Sequence, residues 1–146
     1  MTKDRCSLGR RTAFKIREQV ERGRRIDRAL ESCIQGVQSR ERAFAHELSY
    51  GVTRLRGRLD HLLSPHVHRG VDTLDPSVRE VLRLATYQLL YMHSVPDYAA
   101  VSESVAQVRS LVGKGAAGLV NAVLRKLATG GADTAEFPDL DSDPVG

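Results

Sequence analysis

The residues best suited to chemistry in this chain are its arginines. Eighteen of the 22 basic residues are Arg, whose planar guanidinium group presents a fork of donors that matches phosphate oxygens. Residues 1–70 contain 16 Lys and Arg against 8 Asp and Glu, whereas residues 71–146 contain 6 against 10. A basic half rich in Arg indicates an acidic partner such as nucleic acid. A GC-rich genome would favour Arg codons equally well, so composition leaves both explanations open.

Spacing selects the candidate phosphate contacts. On the first amphipathic segment, Arg11 and Lys15 lie opposite the apolar stripe, and two further arginines flank that stripe. On the third segment, two arginines four residues apart would share one face of a helix. The competing interpretation is a solvated face with ordinary ion pairs, such as Glu18 with Arg22. We predict RNA-phosphate contact by seven residues: Arg5, Arg10, Arg11, Lys15, Arg17, Arg54 and Arg58.

Catalytic motifs are not found in the sequence. It contains no HExxH, GxSxG, CxxC or P-loop string, and its two cysteines, Cys6 and Cys33, are isolated. Residues 113–118 match GxGxxG, but a helical pattern precedes them, which favours a glycine-rich turn over a dinucleotide site. The helix start beside Lys114 could still hold one phosphate. We expect no catalysis, no cofactor and no metal in this chain. With three Phe, four Tyr and no Trp, base recognition by stacking is not indicated either.

Helices must position these side chains, because the apolar residues recur at three- and four-residue spacing. Ser7 and the pair Asp75-Pro76 are typical helix starts. Gly51 and Gly57 predict a bend in the third helix. No segment alternates with a period of two, so we predict an all-α bundle. The predicted helices lie near residues 7–22, 25–36, 40–63, 76–93, 98–112 and 116–129.

Two polar residues interrupt apolar stripes, and the end of the chain changes in composition. We interpret Arg83 and Asn121 as structural, and expect Arg83 to pair with Glu103 or Glu47 because a buried charge needs a partner. Residues 1–129 read as one helical domain. Residues 130–146 are acidic and contain Gly and Pro, which predicts a flexible tail or linker. Since no long apolar run or export signal is present, we expect no membrane span and a cytoplasmic location.

Three stretches carry a resemblance to a known family: RAFAHELSYGVTR (42–54), PSVREVLRLATYQLLYMHSVPDYAAVSESV (76–105) and AAGLVNAVLRKL (116–127). Together they resemble the NusB-like helical domain. The closest likeness is to the version that begins the RsmB (Sun/Fmu)-type ribosomal RNA cytosine-C5 methyltransferases. The simpler NusB antitermination factors usually have glutamate where Gln88 stands, so Gln88 favours the methyltransferase type.

The resemblance implies a NusB-like bundle of about six to seven helices in two packed subdomains. It implies RNA binding, with a small ribosomal protein as a further partner in NusB itself. It also implies that the chain is the non-catalytic N-terminal domain of a 16S ribosomal RNA methyltransferase, whose other domain would use S-adenosylmethionine. Two alternatives stay open: a stand-alone NusB-type antitermination factor, and a helical protein-interaction module without RNA affinity. We therefore expect either a fragment of a larger enzyme or a stand-alone domain with a short tail.

Overall fold

The computed structural model describes residues 6–132, with side chains through residue 129. The described part contains six α-helices, and each predicted helix is confirmed with its ends moved by at most three residues. The last helix continues through residues 130–132, where the sequence predicted the linker to begin. Arg5 and the rest of the predicted tail, 133–146, lie outside the described residues. The helices are α1 (Leu8–Glu21), α2 (Ile26–Cys33), α3 (Ser39–Leu63), α4 (Pro76–Tyr91), α5 (Asp97–Leu111) and α6 (Lys114–Ala132).

Local signals set the helix ends. The Ser7 hydroxyl accepts the N–H of Arg10 at 3.3 Å, and the Asp75 carboxylate accepts the N–H of Ser77 at 2.8 Å. Each bond satisfies a donor that the first turn of a helix otherwise leaves without a partner. Gly113 has φ +146 between α5 and α6, so the GxGxxG string begins in a turn between two helices, as predicted.

The third helix bends between its two glycines. The non-helical residue is Leu55, with φ −105 and ψ 17, so the predicted kink exists but lies at neither glycine. Gly51 has a different role: a Cβ atom there would overlap the Tyr87 ring. The missing side chain therefore lets α3 approach α4 closely, and Tyr87 fills the space.

The bundle has two halves, which meet at α4. Helices α1–α3 pack together in one half and α4–α6 in the other, with α4 against α1, α3, α5 and α6. All nine residues 81–89 are buried, because neighbours cover α4 on every side. Its polar residues consequently face other helices and need partners there. The largest fully buried apolar side chains are Ile16, Leu48, Leu59, Leu63, Leu82, Leu84 and Leu124.

Candidate nucleic-acid interface

Arg10 is not on the surface. Its side chain is fully buried between α1, α4 and α5. Nε donates to Gln107 Oε1 at 2.8 Å, one terminal nitrogen donates to Gln88 Oε1, and the other donates to the Val81 carbonyl at 3.3 Å. Burial lowers the pKa of Arg10, against the opposing charges of Cys6 and Glu103. The prediction that Arg10 contacts phosphate is therefore wrong, because every nitrogen of its guanidinium group already binds an internal acceptor.

Arg17 is also internal, one apolar repeat further along α1. Its guanidinium group donates to both oxygens of Glu80, at 2.8 and 3.1 Å, and to the Thr53 hydroxyl at 2.9 Å. A fourth bond reaches Glu21 at 2.5 Å. Both Arg17 and Glu80 are buried. The phosphate prediction is wrong here too, because Arg17 neutralises a buried carboxylate on α4.

Arg83 completes this internal network. Its Nε and one terminal nitrogen bind the two oxygens of Asp60 at 2.8 and 2.9 Å, and its other terminal nitrogen binds Glu80 at 3.3 Å. The structural interpretation of Arg83 agrees with this geometry, but the expected partners do not. Glu103 instead accepts the backbone N–H of Ser7 at 3.3 Å.

Two cations remain on the outer side of α1. Arg11 and Lys15 are exposed, and no acid in the described part of the chain lies within ion-pair distance of either. They line a groove of about 250 Å³ between α1 and α5, together with Phe14, Ala106 and Leu111. Glu18 also lines this groove, and its carboxylate lies 3.9 Å from Arg22 in an exposed pair. The outer side of α1 thus keeps two cations that can meet a ligand.

The two predicted α3 cations lie apart from that groove. Arg54 is exposed, and Arg58 Nε donates to the Tyr91 hydroxyl at 2.8 Å, near the end of α4. The predicted residues therefore do not form one surface. One pair faces the groove beside α5, and the other pair lies on α3, where Arg58 contacts Tyr91 of α4.

A ring pair on α3, formed by His46 and Tyr50, was not predicted from the sequence. The His46 and Tyr50 rings stack with centroids 4.2 Å apart and an interplanar angle of 7°. His46 is exposed and Tyr50 is half-buried. A low aromatic content argued against stacking, yet four-residue spacing of two rings was a usable signal, because such residues are neighbours on a helix.

Comparison with known proteins decides the family. The sequence profile of the NusB family matches residues 8–129. The chain belongs to the NusB family.

The relatives of this NusB-family chain are of two kinds. A Mycobacterium tuberculosis protein named as a candidate methyltransferase is 40% identical over 116 residues, covering 76% of this chain and 25% of its own length. Ribosomal RNA small subunit methyltransferase B of Thermus thermophilus is 38% identical over 126 residues, covering 85% and 31%. Transcription antitermination protein NusB of Shewanella pealeana is 33% identical over 85 residues, covering 58% and 63%. The chain thus spans about a quarter to a third of the methyltransferase relatives.

Solved structures show the same fold. A chain in the crystal structure of a plectonemic RNA supercoil superposes with a TM-score of 0.80 at 20% identity, covering 86% of this chain and 95% of that one. The antitermination factors NusB and NusE in complex with double-stranded RNA give a TM-score of 0.76 at 21% identity, covering 83% and 93%. At this identity the likeness concerns the fold, which confirms the predicted NusB-like all-α bundle.

Another groove of this NusB-family bundle lies between α5 and α6. It has a volume of about 740 Å³ and is lined at one end by Tyr98, whose residue is 78% exposed. Arg109 and Arg125 line it as well. Asn121, interpreted as structural, is half-buried on this groove, where its oxygen accepts from Arg125 Nε at 3.2 Å. The groove therefore combines apolar and cationic residues with one carboxylate, Asp97.

Cys33 is the half-buried thiol of α2. Burial raises the pKa of the Cys33 thiol, and the group also receives a bond from Gln19 Nε2 at 3.4 Å. A raised thiol pKa disfavours the thiolate, which is the reactive form.

Within residues 6–132, no helix is both long and apolar enough to cross a membrane.

Proposed function

We propose that this chain is a non-catalytic RNA-binding domain of a ribosomal RNA cytosine-C5 methyltransferase. The observation that supports this proposal is how much of each relative the chain matches. Methyltransferase relatives match most of this chain at 38–40% identity, but the match covers only 25–31% of their own length. The remainder of such a protein would supply the catalytic residues and bind S-adenosylmethionine. This chain would contribute affinity for the RNA substrate.

The exposed cations of α1 support the RNA-binding part of the proposal. Arg11 and Lys15 are exposed, and no acid in the described residues pairs with them. Arg10 and Arg17, by contrast, donate their hydrogen bonds to acceptors inside the bundle. Cations at a surface groove attract a polyanion and release its condensed counterions on binding. We therefore assign the first phosphate contacts to Arg11 and Lys15.

The test is RNA binding by the full chain across a series of salt concentrations. We expect the double variant R11Q/K15Q to weaken binding to structured ribosomal RNA and to flatten the salt slope by about 0.7 per lost single-strand contact. The matched control is R24Q/R25Q, which removes two exposed positive charges from the turn before α2. Equal weakening by both variants would reduce the effect to net charge. No RNA binding at low salt would favour the protein-interaction alternative.

The catalytic part is tested separately. Purified chain, ribosomal RNA and labelled S-adenosylmethionine should give no transfer of label above a control without protein. Transfer above that control would contradict the proposed non-catalytic role. A reading frame that continues into a methyltransferase domain would favour this proposal over a stand-alone antitermination factor.

A protein partner is a second candidate function, favoured by the α5–α6 groove. Val101, Val105 and Ala128 give this groove apolar walls, and Tyr98 projects at its end. Exposed aromatic side chains beside apolar grooves are typical of protein interfaces. A NusE-type ribosomal protein, the companion of NusB in the solved complex, is the partner to titrate. We expect Tyr98→Ala to weaken that binding and to leave RNA affinity unchanged.

A further inference from the structure

We propose that the outer face of α3 is a second contact for RNA, which binds an unpaired base by stacking and the adjoining phosphates by charge. The base would stack on the His46–Tyr50 ring pair, and the phosphates would meet Arg54 and Arg58. This inference rests on the proposed RNA-binding function but concerns a different surface from the α1 groove.

The ring pair provides a preformed flat platform. Its centroid separation of 4.2 Å and interplanar angle of 7° are those of a parallel stack. A nucleobase has a π-face of the same kind, so it can extend such a stack whatever its sequence. Because the two rings already hold each other, less rotamer freedom is lost when a base arrives.

The outer side of His46 is available to a further ring. Side chains on a helix lean toward its N-terminus, so the ring of His46 lies over the preceding turn. That turn carries Ala43, which has no side chain beyond Cβ, and Arg42, whose guanidinium group donates to the Val37 carbonyl at 3.3 Å. His46 itself is exposed. Local packing therefore does not complete the stack on this side.

The next turns of the same helix carry positive charge. Arg54 follows Tyr50 by four residues and is exposed, with no acid in the described part within ion-pair distance. Arg58 follows after another four residues, and its Nε donates to the Tyr91 hydroxyl at 2.8 Å. One carboxylate, Glu47, is exposed on this part of the helix. Asp60 is held by Arg83 at 2.8 Å, so it does not neutralise Arg54.

The dimensions suit a short single strand. From His46 to Arg54, before the kink at Leu55, the helix rises about 12 Å, at 1.5 Å per residue. Aromatic rings followed by guanidinium groups along one track are the combination that single-stranded nucleic acid binders use. Base-paired RNA would not offer its base faces, since they are stacked within the duplex. An unpaired segment of ribosomal RNA is therefore the expected ligand.

The test compares a single-stranded RNA with an abasic strand of equal phosphate number, using the full chain. Wild type should bind the base-bearing strand more tightly, by about five-fold or more for one stacked base. His46→Ala should remove that preference and leave the affinity for the abasic strand unchanged. His46→Phe keeps a ring at this position and should restore the preference. R54Q/R58Q should weaken both strands and flatten the salt slope.

A second readout reports the stack directly. An RNA with 2-aminopurine at one position should lose fluorescence on binding to wild type, and lose less on binding to His46→Ala. An unchanged strand preference and unchanged fluorescence in His46→Ala would overturn this inference. If R11Q/K15Q alone then weakens binding, the proposed function stands without the α3 contact. If neither strand binds at low salt, both proposals fail, and an acidic peptide that binds R54 and R58 would identify a protein ligand instead.

Discussion

Arg10 and Arg11 are neighbours in sequence and opposites in the structure. Arg10 is fully buried with all its nitrogens bound internally, whereas Arg11 is exposed at a groove. A rotation of about 100° per residue separates their directions on the helix. The same contrast holds for Arg17 and Lys15. Formal charge is thus a poor guide to binding surface, because half of the α1 cations assigned to phosphate stabilise the interior.

The inner set also divides, by the kind of acceptor. Arg17 neutralises a buried carboxylate, Glu80, whereas the bonds of Arg10 go to amide and carbonyl oxygens. Gln88 is one of those neutral acceptors. The two sites should therefore differ in what the loss of the arginine leaves behind.

Removing Arg17 should have the largest effect. Arg17→Met would remove the bidentate partner of buried Glu80 and leave it the single, longer contact with Arg83 at 3.3 Å, which costs about 3–5 kcal/mol in the free energy of unfolding. Urea denaturation of the full chain measures this loss. The double variant Arg17→Met with Glu80→Met should recover part of the stability, because the poorly paired buried carboxylate is then removed as well. A loss below about 0.5 kcal/mol for the single variant would contradict the internal role of Arg17.

Removing Arg10 should cost less. Arg10→Met leaves the side-chain oxygens of Gln88 and Gln107 without the donor that Arg10 supplies, which costs about 1–3 kcal/mol in the free energy of unfolding. No anion is stranded, so the loss should be smaller than for Arg17→Met in the same urea titration. A loss as large as that of Arg17→Met would show that Glu103 depends on the charge of Arg10.

Acid sensitivity should depend on Glu21, at the edge of the inner network. Burial opposes its ionisation, but the hydrogen bond from Arg17 and the charges of Arg17, Arg83 and Arg56 outweigh burial and lower its pKa. Because the pKa of Glu21 is lower in the folded than in the unfolded chain, its ionised form stabilises the fold at pH values above the ordinary carboxyl pKa of 4.5. This stabilisation is lost as the pH falls through the pKa of the folded state. The difference in Tm between wild type and Glu21→Gln should therefore shrink as pH falls below 4.5. A difference in Tm that stays constant with pH would contradict a lowered pKa of Glu21 in the folded state.

The outer set should have the smallest effect on stability. R11A/K15A should change the free energy of unfolding by less than about 0.5 kcal/mol, because both side chains are exposed. The same variant should lose RNA affinity, measured by filter binding at low salt. Adding Arg10→Ala to it would introduce a folding defect, because the Arg10 side chain is fully buried. Intact affinity in R11A/K15A would move the first RNA contact elsewhere.

The sequence alone predicted the helices, but it predicted only part of the candidate interface. Ser7 and Asp75 cap their helices as predicted, and the apolar spacing placed all six helices within three residues. Arg54 was correctly placed on a helix surface, and the kink of α3 lies between the two glycines that predicted it. The acceptors of Arg10 and Arg17 were missed, because Gln88 and Glu80 follow them by 78 and 63 positions.

By itself, the sequence determined the all-α class, the helix bounds and the excess of arginine in the first half. Those properties depend on caps, on turns and on a 3.6-residue period, all of which are local. Only the tertiary structure decided which arginines face outward. That choice depends on the helix rotation and on acceptors from α4 and α5, which folding brings to α1 from distant positions. A charged side chain beside an apolar stripe can meet either water or a buried partner, and the partner across the interface settles which one.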